Sequence, residues 1–409
     1  MDLYIRERYL KKIRGFYNDT ESIKVITGVR RCGKSCLMKT IQDELKTNGV
    51  SETNIISLDL DKKENRKIKT PDQLENLISS KTNVEGTKYL FIDEIQNVTG
   101  FEEVINGFRE EDDYSIFLTG SNSYLLSGEL ATKLTGRYIE FELFPLCFDE
   151  YLDMKAFYNQ KIEENLMLEL NKYLQEGGFP KTLQYSTLAD KRTYVKSIID
   201  EIFQKDIKRR VKIRNIEAFN NVRNFIINNF GATFSIKNIH EELSKNGIEI
   251  KRTTLSRYIN TLIDSKILYC CDRFDMKSKK SLSGDKKYYL ADLSFYFTTN
   301  TDNRINYGPA LENIVFTYAK SLDYSVSVGR IGKLECDFIL RDNELNYSYI
   351  QVAYTINESK ETENREYAPL ESIRDNYPKY VATTDYLLQK RNGINNINIL
   401  EFIKIHKKF

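Results

Sequence analysis

Apolar positions along this chain follow two periods, and the change from one to the other marks out its elements. Ile23-Lys24-Val25-Ile26-Thr27 reads as a strand, while Leu37, Ile41 and Leu45 recur at helical spacing between Cys36 and Thr47. Apolar runs return at 54–60, 88–92, 114–119 and 138–146, with helical stretches between them. Strands alternating with helices predict an α/β fold, a parallel sheet covered on both faces. Residues 165–207 keep a helical period, which Gly177-Gly178-Phe179-Pro180 interrupts as a tight turn would.

Beyond 215 the elements shorten. A helix over 218–229 precedes a second that Ser235 would cap and Asn246-Gly247 would end. A third carries Leu255, Ile259 and Leu262 on its core face. Strands at 267–272 and 286–290 follow, joined by a polar, basic loop. From 307 the pattern becomes a helix over 310–321, a strand through Glu335-Cys336-Asp337-Phe338-Ile339 and another over 349–354. A turn then leads into a strand near 380.

The 409 residues exceed one ordinary core and predict roughly two to four domains. Apolar residues make up 41%, enough for packed cores, and no run approaches the roughly 20 apolar residues of a membrane span. The N-terminus has no signal-peptide core, so a cytoplasmic protein without a membrane anchor is expected. Six cysteines without a C-x-x-C pair, and two histidines, argue against a zinc site or a disulfide scaffold. Net charge is only +2, but 205–214 and 277–287 are locally basic. A basic run is by default a solvated face; beside a DNA-binding pattern it carries more weight. No internal repeat or low-complexity linker is present.

The first strand and helix flank Gly28-Val29-Arg30-Arg31-Cys32-Gly33-Lys34-Ser35, a complete G-x-x-x-x-G-K-S. Glycines let backbone N–H groups and the following helix N-terminus approach phosphates, so Gly28 through Cys36 are the expected nucleotide-binding residues. Lys34 would bridge the β- and γ-phosphates of ATP, and the Ser35 hydroxyl would hold Mg2+. The strand at 88–92 ends in Asp93-Glu94. Asp93 is assigned to Mg2+ and Glu94 to the attacking water. Ser121 or Asn122, after the strand at 114–119, would sense the γ-phosphate or merely cap a helix.

The order G-V-R-R-C-G-K-S, F-I-D-E-I-Q, L-T-G-S-N and L-T-G-R-Y resembles AAA-type P-loop ATPases. More narrowly, with E-G-G-F-P at 176–180 and F-Q-K-D-I at 203–207, it is similar to bacterial and archaeal ATPases carrying a C-terminal domain of unknown function. The resemblance implies an AAA core over 1–147 and a helical lid over 148–212, the Gly-Gly turn lying near the nucleotide or at a hinge. It also implies an arginine finger at Arg137, and with it homo-oligomers; a plain salt bridge at the strand start is the alternative.

Residues 213–300 read as a winged helix-turn-helix. Its third helix would present Lys251, Arg252, Thr253, Thr254, Ser256, Arg257 and Asn260 to double-stranded DNA, with 277–287 as the wing. Winged helices also dock proteins, and that reading stays open. Residues 301–409 are similar to the PD-(D/E)xK, restriction-endonuclease-like α/β fold, with Glu312, Asp337 and Gln351 at the acidic positions. Ala353 stands where the catalytic lysine belongs, so nuclease activity is not expected unless a lysine such as Lys333 or Lys360 reaches in. The expected function is an ATPase coupled to DNA binding; the alternatives are an ATP-controlled switch for a protein partner and, last, an ATP-regulated nuclease.

Overall fold

Five parallel strands in the order β2-β3-β4-β1-β5 build the first sheet: β1 (Ile23–Thr27), β2 (Ile55–Asp59), β3 (Lys88–Asp93), β4 (Tyr114–Thr119) and β5 (Tyr138–Glu142). This is a computed structural model describing residues 3–82, 84–120, 134, 136–208, 211–278, 280–300, 304, 306–387 and 389–404. The three central strands are buried almost throughout, as strands covered on both faces must be. Helices α1 (Glu7–Ile13), α2 (Lys34–Thr47), α3 (Pro71–Ser79) and α4 (Phe101–Glu110) accompany them. Leu74, Ile78, Phe101, Ile105 and Phe108 pack with Val25, Leu90, Ile92 and Leu118 into one core. That sheet and its helices, Met1–Phe144, form one compact unit, together with Lys205–Ile207.

Pro145–Gln204 and Lys208–Phe409 form a second unit. Its first helices are α5 (Phe148–Phe157), α6 (Leu166–Glu176) and α7 (Leu188–Glu201), the last running on into a π-helical turn, Ile202–Ile207. The Gly-Gly turn belongs to this unit: Leu146 N–H donates to the Gly178 carbonyl at 2.7 Å, and Gly178 N–H to the Asp292 carboxylate at 2.6 Å. A Cβ at Gly178 would stand 2.1 Å from the Leu146 carbonyl oxygen, so glycine is required by close approach.

Helices α8 (Ile216–Asn228), α9 (Ile236–Lys245) and α10 (Arg252–Asp264) follow, with the short β6 (Thr233–Phe234) before α9. Ser235 caps α9 by accepting from Asn238 N–H, at the position its sequence predicts. The hairpin β7 (Leu268–Asp275) and β8 (Lys280–Leu290) comes next, then α11 (Ser294–Thr299) and α12 (Tyr307–Ser321). The expected loop at 277–287 is therefore mostly strand. Antiparallel pairing satisfies its backbone, as in Asp275↔Lys280 and Cys271↔Lys287.

The remaining elements are β9 (Ser325–Ile331), β10 (Leu334–Arg341), β11 (Tyr347–Val352), α13 (Lys360–Glu371), β12 (Lys379–Thr383), β13 (Asn395–Asn398) and α14 (Ile399–Lys404). Among the described residues, the strands of this unit share an eight-stranded sheet, β13-β12-β11-β10-β9-β7-β8-β6. Because β7 pairs in parallel with β9, this sheet continues across residue 300.

Candidate nucleotide site and a second charge cluster

The loop between β1 and α2 takes its shape from three residues with positive φ: Gly28 (136°), Arg31 (69°) and Gly33 (112°). At Gly28 a Cβ would lie 2.1 Å from the Leu143 carbonyl oxygen, so no larger residue fits. Gly33 stands at the N-cap of α2, and no side chain caps this helix. Its first-turn N–H groups thus lack the usual side-chain acceptor, and the positive end of a 14-residue helix faces outward beside exposed Ser35 and Cys36. A phosphate chain fits such a cradle. The Lys34 ammonium, largely buried, donates to the Gly28 and Val29 carbonyls at 2.8 and 3.3 Å. Cys32 is fully buried, and burial pushes its thiol up.

Asp93 and Glu94 meet this loop at the carboxyl edge of the sheet. Thr119, the last residue of β4, donates its hydroxyl to Asp93 and accepts from Glu94 N–H at 3.2 Å. Glu94 has left-handed backbone, φ 58° and ψ 47°, which turns the chain sharply off β3. Burial, and Asp93 beside it, push its carboxyl up against the pull of Arg30 and Lys34. Gln96 donates to the same carboxylate.

Arg30 is engaged by carboxylates of the chain itself. Its guanidinium grips Asp206 through two bonds, Nε–Oδ2 at 3.0 Å and Nη2–Oδ1 at 2.8 Å, and Nη2 lies 3.9 Å from Glu94 Oε2. Neither Asp206 nor Thr119 was singled out from sequence. The hydroxyl just before Gly120 was a signal for Thr119; Asp206 stood in the F-Q-K-D-I motif, but a partner 176 positions away left no signal of the pairing.

Arg137 lies elsewhere. The register Ile23↔Tyr138 through Thr27↔Glu142 sets it at the amino edge of the sheet, roughly 15 Å along the strands from the cradle. That is beyond the reach of its side chain, and Nη1 donates to Asn106 Oδ1 at 2.8 Å. Ser121 and Asn122 lie outside the described residues.

An AAA-domain model matches residues 20–152, and a domain of unknown function matches 167–303. Over 405 residues the chain is 35% identical to an uncharacterized protein of Haemophilus influenzae, covering 97% of this chain and 98% of that one. This chain belongs to that protein's family. An uncharacterized protein of Methanocaldococcus jannaschii is 30% identical over 360 residues, 84% of this chain and 78% of its own. The Walker-type ATPase PABY2304 of Pyrococcus abyssi shares the fold at TM-score 0.51 and 16% identity, over 73% of this chain and 96% of that one. The family thus pairs an AAA-type, ATPase-like domain with a second unit, and among the described residues no helix is long and apolar enough to cross a membrane.

In this AAA-domain protein the expected DNA-contacting residues stand on one helix. Lys251 is the N-cap residue of α10, and Arg252, Thr253, Arg257 and Asn260 are exposed, with Thr254 and Ser256 half-buried. Leu255, Tyr258, Ile259 and Leu262 turn the other face into the core.

The nuclease-like acids gather around a lysine that sequence reasoning missed. Lys287, from β8, places its ammonium 3.0 Å from Glu312, 3.1 Å from Glu335 and 3.5 Å from Asp337. Lys333 and Lys360 are exposed, and Ala353 leaves no charge of its own. Asp337 accepts from Val352 N–H at 2.9 Å; Gln351 accepts from Asp337 N–H and donates to Glu366. Burial would lower the Lys287 ammonium, but the surrounding carboxylates outweigh it and hold it charged. Burial and Glu312 push Asp337 up despite Lys287. This is a correction to the wing: Lys287 is 5% exposed and faces acids, so it is no loop contact for DNA.

Proposed function

We propose that this chain is a Mg-ATP-dependent ATPase whose nucleotide cycle controls engagement of double-stranded DNA by its second unit. The observation that carries the reading is the meeting of uncapped helix N–H groups, Lys34, Asp93 and Glu94 at one carboxyl edge of the sheet. Backbone N–H groups from Gly28 to Cys36 hold the phosphates, and Lys34 exchanges its loop carbonyls for phosphate oxygens. Ser35 and Asp93 hold Mg2+, which when bound neutralises phosphate charge. Glu94, kept basic by burial, orients and polarises the attacking water. Arg137, too far to serve its own cradle, acts if at all on a neighbouring copy, which would make the working form an oligomer.

The order α8-β6-α9-α10-β7-β8 supports a winged helix, with α10 as its recognition helix. Its exposed Lys251, Arg252, Thr253 and Arg257 suit phosphate and base-edge contacts. Residues 301–409 support a nuclease-like fold by the placement of Glu312, Asp337 and Gln351, but Lys287 already stands where a divalent ion would be needed. Those residues do not fit a metal, and the proposal includes no cleavage. The test is ATP hydrolysis with and without duplex DNA, with solution mass measured in both nucleotide states. Salt-dependent DNA binding that changes turnover supports the coupling. Turnover indifferent to DNA, with ATP-driven assembly, replaces it with a switch for a protein partner.

A further inference from the structure

Arg30 of the P-loop meets more than one carboxylate. One guanidinium stands between two carboxylates, Glu94 and Asp206, with side-chain exposures of 9% for Arg30, 18% for Glu94 and 6% for Asp206. It chooses Asp206, with two short bonds, and stays 3.9 Å from Glu94. A planar guanidinium held by both forks of one carboxylate has a fixed orientation, which a lysine could not provide. Asp206 sits in the π-helical turn Ile202–Ile207, a geometry that recurs at functional sites because it adds a residue to the helix and re-aims its neighbours. Lys205, next to it, meets Asp61 at 3.3 Å, and Asp61 accepts from Asn97 at 2.9 Å on the loop that follows Glu94. One short segment thus bonds the P-loop directly and reaches the Asp93–Asn97 turn through Asp61.

We infer that Asp206 is a positioning residue for ATP hydrolysis: it holds the Arg30 guanidinium away from Glu94, leaving that carboxylate available to the attacking water. The inference rests on the ATPase reading above. Without the charge at position 206, the Arg30 guanidinium has the half-buried Glu94 carboxylate within 3.9 Å as an alternative partner. A direct Arg30–Glu94 pair would then neutralise the group that polarises water and turn its oxygens toward Arg30. Nucleotide affinity would be spared, because Lys34, Ser35 and the loop N–H groups bind phosphates without Asp206.

The experiment compares the full chain with Asp206→Asn and Asp206→Glu in steady-state ATP hydrolysis and in binding of a fluorescent ATP analogue. Asp206→Asn is expected to lower kcat at least about tenfold while the Kd stays within about threefold, and Asp206→Glu to recover most of the turnover. A merely structural role would weaken binding and turnover together and lower the melting temperature gained with Mg-ATP. Unchanged kcat in Asp206→Asn, or parallel loss of binding, overturns the inference. If the unaltered chain binds the analogue and hydrolyses no ATP, the ATPase reading itself has failed, a result distinct from either.

Discussion

The two units each gather buried charges around a basic side chain, and they solve the same electrostatic problem in opposite ways. In the first, uncapped helix N–H groups stand beside exposed Ser35 and Cys36, and the buried Lys34 rests on loop carbonyls. That arrangement suits an anion. In the second, Lys287 is already enclosed by Glu312, Glu335 and Asp337, and Arg273 pairs with Glu335 at 2.8 Å. There the space between the carboxylates is taken by an ammonium of the chain itself. Acidic residues at nuclease-like positions are therefore not sufficient to define a metal centre; what occupies the space between them decides.

The sharpest way to break this comparison is at the open cluster. Lys34→Ala should abolish binding of a fluorescent ATP analogue, whereas Glu94→Gln should keep binding and lose about 100-fold or more in turnover. Retained turnover in either variant would remove the site assignment. At the closed cluster the expected effect is on stability. Lys287→Met leaves three carboxylates without their shared ammonium and should cost the second unit about 3–5 kcal/mol, read from urea denaturation. Adding Asp337→Asn should restore part of the loss. Undiminished stability in Lys287→Met would mean the carboxylates are satisfied by protons instead.

A smaller effect should distinguish the units by pH. Burial pushes Asp292 up to about 6, above its usual value, despite bonds from Ser294 and Gly178 N–H. A raised carboxyl stabilises the fold fully below about pH 4, and that contribution, about 3 kcal/mol, is lost as pH rises through 6. Hydrogen exchange around Ser294–Thr299 should therefore quicken between about pH 4 and 6 beyond the intrinsic rate increase, and Asp292→Asn should remove that excess. The mildest expectation concerns Arg137. Arg137→Ala should reduce turnover only in assemblies, and mixing it with Glu94→Gln should restore part of it; no recovery would leave the Asn106 bond as its role.

Much of this was legible beforehand because it is local. The strand before Gly28, the helix after Gly33 and the acids closing β3 lie within short runs whose spacing alone dictates geometry. The Ser235 cap and the core face of α10 were readable for the same reason. The loop at 277–287 was misread because its lysines hide a strand: Lys286 pairs with Asp272 at 2.9 Å while Lys287 turns inward, a period of two masked by charge on both faces.

The sequence by itself determined the Gly-rich loop between β1 and α2, the parallel sheet that supports it and the family to which the chain belongs. Only the tertiary structure decided that Arg30 answers Asp206 and that Lys287 answers the acids of β10 and α12. The physical reason is that a motif's backbone is shaped by neighbours a few residues away. The partner of a buried charge is whichever group the packing carries within about 3 Å, and chain spacing places no limit on where that group comes from.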